Sequence, residues 1–200
     1  MDELATVPAL AEYGQGFCRC AVHQQTQRTY ALASGRGVGS NAVTILDSHL
    51  QVVATVEAAE TNGEDPIRDI AVHGDEVLVL TGECHREGPG LRLLDLDGRF
   101  LCTIAARHLR NPRAVAASHG RAYVVDEDGY EEDKEDEEEE EDPIRHVLLV
   151  IDIHSGDILQ QVRVDWVDEI GAVLVDGDEI YIAGFGASEV VALPFAGSEA

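Results

Sequence analysis

The chain is short of aromatic side chains and of positive charge, and each shortage excludes something. Only 5% of its 200 residues are Phe, Trp or Tyr. A hydrophobic core therefore has to be built from Val, Leu, Ile and Ala. Nor is there any aromatic–basic interleaving of the kind on which nucleic-acid bases stack. Fourteen Lys and Arg stand against 39 Asp and Glu, a formal charge of −25. Phosphate backbones and anionic lipid surfaces are repelled by such a chain, so neither nucleic acid nor membrane is expected as a partner. No run of about 18 apolar residues is present, so no helical membrane span is expected. The four cysteines, Cys18, Cys20, Cys84 and Cys102, form no Cys-x-x-Cys pair, which argues against a structural zinc site. Cys18 and Cys20 are two apart and would share one face of a regular strand. Met1-Asp2-Glu3-Leu4 lacks a basic stretch followed by an apolar one. A secretory leader is not expected, and reduced thiols in the cytoplasm or nucleus are the reading that follows. Helical periodicity is also wanting, since apolar residues do not recur at i, i+3, i+4 and i+7.

What the chain does have is a repeat. Its apolar fraction of 44% is enough for a core, and that fraction falls into short runs separated by tight turns. Pro66-Ile67-Arg68-Asp69-Ile70-Ala71-Val72-His73-Gly74 leads through a Gly turn into Val77-Leu78-Val79-Leu80. Pro112 to Gly120 leads likewise into Ala122-Tyr123-Val124-Val125, and Ile170 to Gly177 into Ile180-Tyr181-Ile182-Ala183. A Gly between two apolar runs is a hairpin signal, because it accepts the positive φ that such turns require. The second half of the unit also recurs. Leu93-Leu94-Asp95 matches Val150-Ile151-Asp152 and a degenerate Ile45-Leu46-Asp47, each followed by a polar turn and another apolar run. A first copy opens at Phe17. The unit thus holds four strands, here called a, b, c and d. Strand a begins near residues 17, 67, 113 and 170, steps of about 50, 46 and 57 residues that suit a four-stranded propeller blade.

The expected fold is all-β: a β-propeller of four antiparallel four-stranded blades, closed or partial, interrupted by an acidic insertion. The blades are expected at about 17–56, 66–104, 112–163 and 168–195. The last copy stops before a strand d, and Leu4-Ala5-Thr6-Val7 is the segment expected to complete it. Tyr123 and Tyr181 share one position in strand b, which points to packing between blades.

These units resemble NHL repeats, a propeller family whose pattern runs as Pro, a small-apolar strand, a polar-Gly turn, an aliphatic or Tyr-containing strand, and an aliphatic strand ending in Asp-x-x-Gly. Pro66 to Ile104 matches it best. The Asn-Arg-type signature expected after the second strand is absent, and such propellers usually have six blades. The resemblance implies either a non-catalytic protein-binding scaffold or, as the alternative, a metal-assisted lyase or lactonase.

Between residues 126 and 142 lie 14 acids and one lysine, −13 of the total charge. Self-repulsion and the lack of apolar residues predict a disordered loop. It interrupts copy three between strands b and c, and it therefore shares a face with the loops 34–40 and 82–90. A partner protein with a basic segment is expected to bind there, through Glu131, Glu132, Asp133, Glu135, Asp136, Glu137, Glu138, Glu139, Glu140 and Glu141. Arg36, Cys84 and His85 are the accompanying loop residues. Asp126-x-Asp128-Gly129 matches only part of a calcium loop. His23, His73 and His119 are assigned one repeat position at the a–b turn, where copy four has Asp176. They are the weak metal candidates, and turn chemistry explains their recurrence more simply. No catalytic residue and no cofactor is expected. A partial propeller could complete itself as a homodimer.

Overall fold

Alternation of apolar residues over five to eight positions, closed by hairpin turns, yields fifteen strands among the described residues of the computed structural model. Those residues are 16–34, 42–57, 67–82, 89–106, 108–128, 145–164, 170–184 and 190–194. The strands are β1 (Gly16–His23), β2 (Arg28–Ser34), β3 (Ala42–Leu46), β4 (Val52–Glu57), β5 (Ile67–His73), β6 (Glu76–Thr81), β7 (Gly90–Asp95), β8 (Phe100–Ile104), β9 (Pro112–Ser118), β10 (Arg121–Asp128), β11 (Arg145–Asp152), β12 (Ile158–Val164), β13 (Ile170–Asp176), β14 (Glu179–Gly184) and β15 (Val190–Pro194). They form four antiparallel meanders, β1–β4, β5–β8, β9–β12 and β13–β15. The fourth sheet has three strands among the described residues, one fewer than the others.

The blades pack face to face through three apolar clusters. Tyr30, Leu32, Val43 and Ile45 of blade 1 meet Ile70, Val77, Val79 and Leu94 of blade 2. Leu78, Leu80, Leu91 and Leu93 meet Val115, Val124, Val147, Leu149 and Ile151 of blade 3. Ala116, Tyr123, Val125 and Leu148 meet Val173, Ile180 and Ile182 of blade 4. Each fully buried Leu or Ile here contributes about 1.5–3 kcal/mol, and none of these sheets can bury both faces without neighbours.

None of the three clusters joins blade 4 to blade 1. Ala21, Ala71 and Ala116 hold one repeat position, where a small side chain lets the next inner strand approach. Blade 4 has Leu174 there, 60% exposed, and on the opposing side of blade 1 Val22 is 53% exposed. Tyr181 shows the same asymmetry. Tyr123, at the equivalent position, is buried against blade 4, whereas Tyr181 is half-buried and donates its hydroxyl to Glu179.

Polar groups link the four inner strands where that apolar packing stops. β1, β5, β9 and β13 each carry a β-bulge near their start, at Cys18, Arg68, Arg113 and Gly171. The Cys18 side chain, expected to share a face with that of Cys20, lies outside the described residues. Just past the bulge, Arg19 and Asp69 occupy the same repeat position. Asp69 accepts the backbone N–H of Val115 on β9 at 2.9 Å and lies 3.8 Å from Arg19 Nε. The Arg19 guanidinium in turn donates to the Gly171 carbonyl on β13. One buried carboxylate and one arginine thereby connect all four inner strands. Burial pushes the Asp69 carboxyl up from its ordinary value, partly offset by the Val115 N–H and by Arg19.

The outer turns repeat with one instructive variation. Asp47 and Asp95 each accept two backbone N–H groups of their own turn, from His49 and Gln51 and from Asp97 and Arg99. The turn closes through a residue at positive φ, Gly98 (85°) in blade 2 but Leu50 (58°) in blade 1. The backbone N–H bonds hold the Asp47 carboxyl below its ordinary value. Asp152 is held down in the same way by Ser155 and His154. Gly98 also packs closely, since a Cβ there would stand 2.2 Å from Val56 Cγ2 of blade 1.

Candidate interaction face

Antiparallel order sends the a–b and c–d turns to one end of every blade and the b–c and d–a connections to the other. The strand ends at Ser34, Thr81, Asp128 and Gly184, together with Ala42, Gly90, Arg145 and Val190, therefore share one end of the array. The acidic segment leaves and rejoins the fold there, between β10 and β11.

The acidic stretch begins inside the sheet. Asp126, Glu127 and Asp128 belong to β10, although all three fall within the segment expected to be disordered. Asp126 and Glu127 are 5% and 6% exposed. Asp126 accepts the backbone N–H groups of Arg110 (2.9 Å) and Asn111 (2.8 Å). Glu127 Oε2 accepts from Asn111 Nδ2 and from both Nε (2.9 Å) and a terminal nitrogen of Arg113. Paired in this way, a buried carboxylate is tolerated, and composition alone misjudged both residues. Burial pushes the Asp126 carboxyl up, against the lowering by the Arg110 and Asn111 N–H groups. The root of the acidic segment is thus clamped to the connection that leads from blade 2 into blade 3 and to the start of β9.

Glu131, Glu132, Asp133, Glu135, Asp136, Glu137, Glu138, Glu139, Glu140, Glu141, Arg36, Cys84 and His85 lie outside the described residues, as does the segment 4–7. The turn histidines are described, and they separate. Cross-strand register places His23 and His73 opposite Arg28 and Glu76, but in blade 3 that position belongs to Ser118, with His119 one residue into the turn. The shift follows from turn type. His119 and Gly120 both have positive φ (51° and 72°), whereas blade 2 turns over Gly74 (54°) and Asp75. Aligning the two His-Gly pairs therefore misreads the register by one residue. His23 Nδ1 bonds the Thr26 hydroxyl at 2.7 Å. His73 Nε2 accepts the Gly120 N–H at 2.9 Å, joining the turns of blades 2 and 3. His119 Nδ1 pairs with the Ser118 hydroxyl. Among the described residues no three His, Cys, Asp or Glu side chains gather as a metal site would require.

Sequence reasoning passed over several polar residues that link separate strands, Arg19, Asp69, Arg113 and Glu127. A signal was present: Arg19 and Asp69 are charges set inside apolar strands at one repeat position. Cys20 and Cys102 are exposed free thiols. No helix among the described residues is long and apolar enough to cross a membrane.

No protein-family model and no curated protein matches the chain. Solved structures do. The chain is similar to Myxococcus xanthus glutaminyl cyclase, at 16% identity and TM-score 0.58, over 89% of this chain and 65% of that one. It is similar to Kuenenia stuttgartiensis hydrazine synthase, at 15% identity and TM-score 0.64, over 87% and 51%. A chain of the nidogen/laminin complex aligns at 12% identity and TM-score 0.51, over 91% and 77%. These neighbours are β-propellers, and the chain has the β-propeller fold. It spans less than two thirds of the first two.

Proposed function

We propose that the chain is a non-catalytic propeller scaffold. It binds a partner protein through the end of the array where the b–c loops emerge, and the acidic segment attracts a Lys/Arg-rich stretch of that partner. The observation that supports this reading most is the anchoring of Asp126 and Glu127. A highly charged segment that starts from a clamped strand has a defined origin on a rigid body, rather than trailing from a frayed end. Its neighbours in fold include enzymes and a protein seen in a complex, and this likeness bears on the fold alone. A metal-dependent lyase or lactonase would need converging ligands, and nothing described here favours it.

The same reading gives residues 4–7 the place beside β15. The eight residues from 8 to 15 would then bridge to β1, close in length to the nine, seven and five residues that join successive blades elsewhere.

The test is binding of a fluorescent Lys/Arg-rich peptide, followed by anisotropy, to the full chain and to a chain lacking residues 131–141. Removing about ten negative charges should weaken binding at least tenfold at low salt, and raising the salt should weaken binding to the intact chain, because screening shortens the reach of exposed charges. Equal affinity with and without the segment would overturn its role.

A further inference from the structure

Blades 1 to 3 each end in an outer strand, β4, β8 or β12, one edge of which pairs with no other described strand. An open edge offers unpaired N–H and C=O groups to any strand that can lie beside it, and proteins guard such edges with bulges and charge. All three strands carry a bulge at one repeat position, at Val53, Leu101 and Leu159. The other guards are unequal. β4 ends in Glu57, and β12 carries Arg163, which is exposed. In both, alternate residues are half-buried, Ala54 and Val56 in one and Ile158, Gln160 and Val162 in the other.

β8 differs on every count. It reads Phe100-Leu101-Cys102-Thr103-Ile104, with no charged residue, and its first four residues are all exposed. Phe100 and Leu101 are 44% and 48% exposed, and Cys102 is a free thiol. Successive residues of a strand point to opposite faces, so exposure of both Cys102 and Thr103 leaves each face of β8 open as well as its edge. β7, β8 and the turn between them are described without a break. A strand that pairs here has to be apolar and uncharged. A basic partner drawn to the acidic end finds no carboxylate on β8 to meet.

We infer that β8 is a self-association strand, and that its partner is β8 of a second copy of this chain. The two lie antiparallel, edge to edge, and join two copies of blade 2 into one continuous sheet. About a two-fold axis at Cys102, Leu101 lies opposite Thr103 of the second copy and Phe100 opposite its Ile104. No like charges then face each other. β8 runs from the turn end of its blade to the loop end. Antiparallel pairing therefore sends the two acidic segments to opposite ends of the dimer, which keeps repulsion between chains of −25 low. A strand of five residues buries less than the about 800 Å² per partner of a stable complex. The dimer is accordingly weak and depends on concentration.

Sedimentation equilibrium of the full chain over a wide range of concentration should show a reversible monomer–dimer equilibrium. It should tighten as salt is raised, because screening relieves the repulsion between the two chains. Thr103→Lys puts a charge on the edge and should raise the dimer Kd at least tenfold. It should leave Tm unchanged, since Thr103 is exposed. The substitution also makes the chain less negative, so weaker association cannot come from net charge. Crosslinking supplies a second readout. Opposed residues of an antiparallel pair have Cα atoms about 4.5–5.5 Å apart, within the range that a disulfide spans. With oxidised glutathione as oxidant, a chain carrying Cys18→Ser, Cys20→Ser and Cys84→Ser should form a covalent dimer through Cys102. Adding Thr103→Lys should suppress it. A chain that stays monomeric at every concentration, a Kd unmoved by Thr103→Lys, or no crosslink through Cys102 overturns the inference.

Discussion

Replacing Asp69 by Ala should cut the link between the inner strands of blades 1, 2 and 3. The carboxylate accepts the Val115 N–H at 2.9 Å from the neighbouring blade. Its removal strands that buried donor, at a cost of about 1–3 kcal/mol. Arg19 also loses its counter-charge, but its side chain is 27% exposed and 3.8 Å away. Water solvates it in part, so this adds no more than about 1 kcal/mol. The burial cost of the carboxylate itself disappears, which offsets some of the loss. The net destabilisation is about 2–3 kcal/mol. For a chain of this size that lowers Tm by about 4–12 °C, at about 2–4 °C per kcal/mol. Asp69→Asn separates charge from hydrogen bonding. Its amide oxygen still accepts from Val115, so the variant should lie within about 1 kcal/mol of wild type. The pH dependence gives the sharper test. The Asp69 carboxyl is raised in the folded chain, so the folded state holds its proton to higher pH than the unfolded state does. Stability contributed at this position therefore falls as pH rises from the unfolded value near 3.8 through the folded one. The stability of wild type relative to Asp69→Asn should decline across that window and level off above it, as measured by urea unfolding from pH 3.5 upward. A difference that does not change with pH, or a Tm for Asp69→Ala within about 1 °C of wild type, would refute the inter-blade role.

Two pairs of equivalent positions should answer differently. Gly98→Ala puts a methyl 2.2 Å from Val56 Cγ2 at φ +85° and should cost about 2–3 kcal/mol in urea unfolding. Leu50→Gly, at the same turn position of blade 1 with φ +58°, should stabilise by about 1 kcal/mol, because it removes left-handed strain from a branched residue. Ala116→Leu should cost about 1–3 kcal/mol by overpacking blades 3 and 4. Leu174→Ala, at the equivalent and exposed position of blade 4, should change stability by less than about 0.5 kcal/mol. If thermal melts showed Leu174→Ala to be as damaging as a core truncation, a covered seam between blades 4 and 1 would have to be inferred.

Much of the fold was legible because strand period and turn chemistry are local. Gly74 and Gly177 turn their hairpins at positive φ, and Asp47, Asp95 and Asp152 cap their own turns with their carboxylates. Charge statistics were less faithful. The acidic run reads as solvated throughout, yet Asp126 and Glu127 sit in β10 because the Arg110 N–H and Asn111 of the preceding connection, and Arg113 of β9, reach them from 14 to 16 residues away. The histidine register failed for a related reason. His119 and His73 look equivalent beside a Gly, but pairing across the strands places Ser118 opposite Arg121.

The amino-acid sequence by itself therefore determined the repeating antiparallel unit, since alternation and turns act within about ten residues. The tertiary structure alone decided what becomes of each charge. Arg19, Asp69 and Gly171 are distant in sequence and meet only when successive blades are stacked. Arg68 and Arg113 look alike until register shows that one faces Glu127 and the other Gly82. Burial and partnership are properties of packed surfaces, and no local pattern encodes which blade face will be covered.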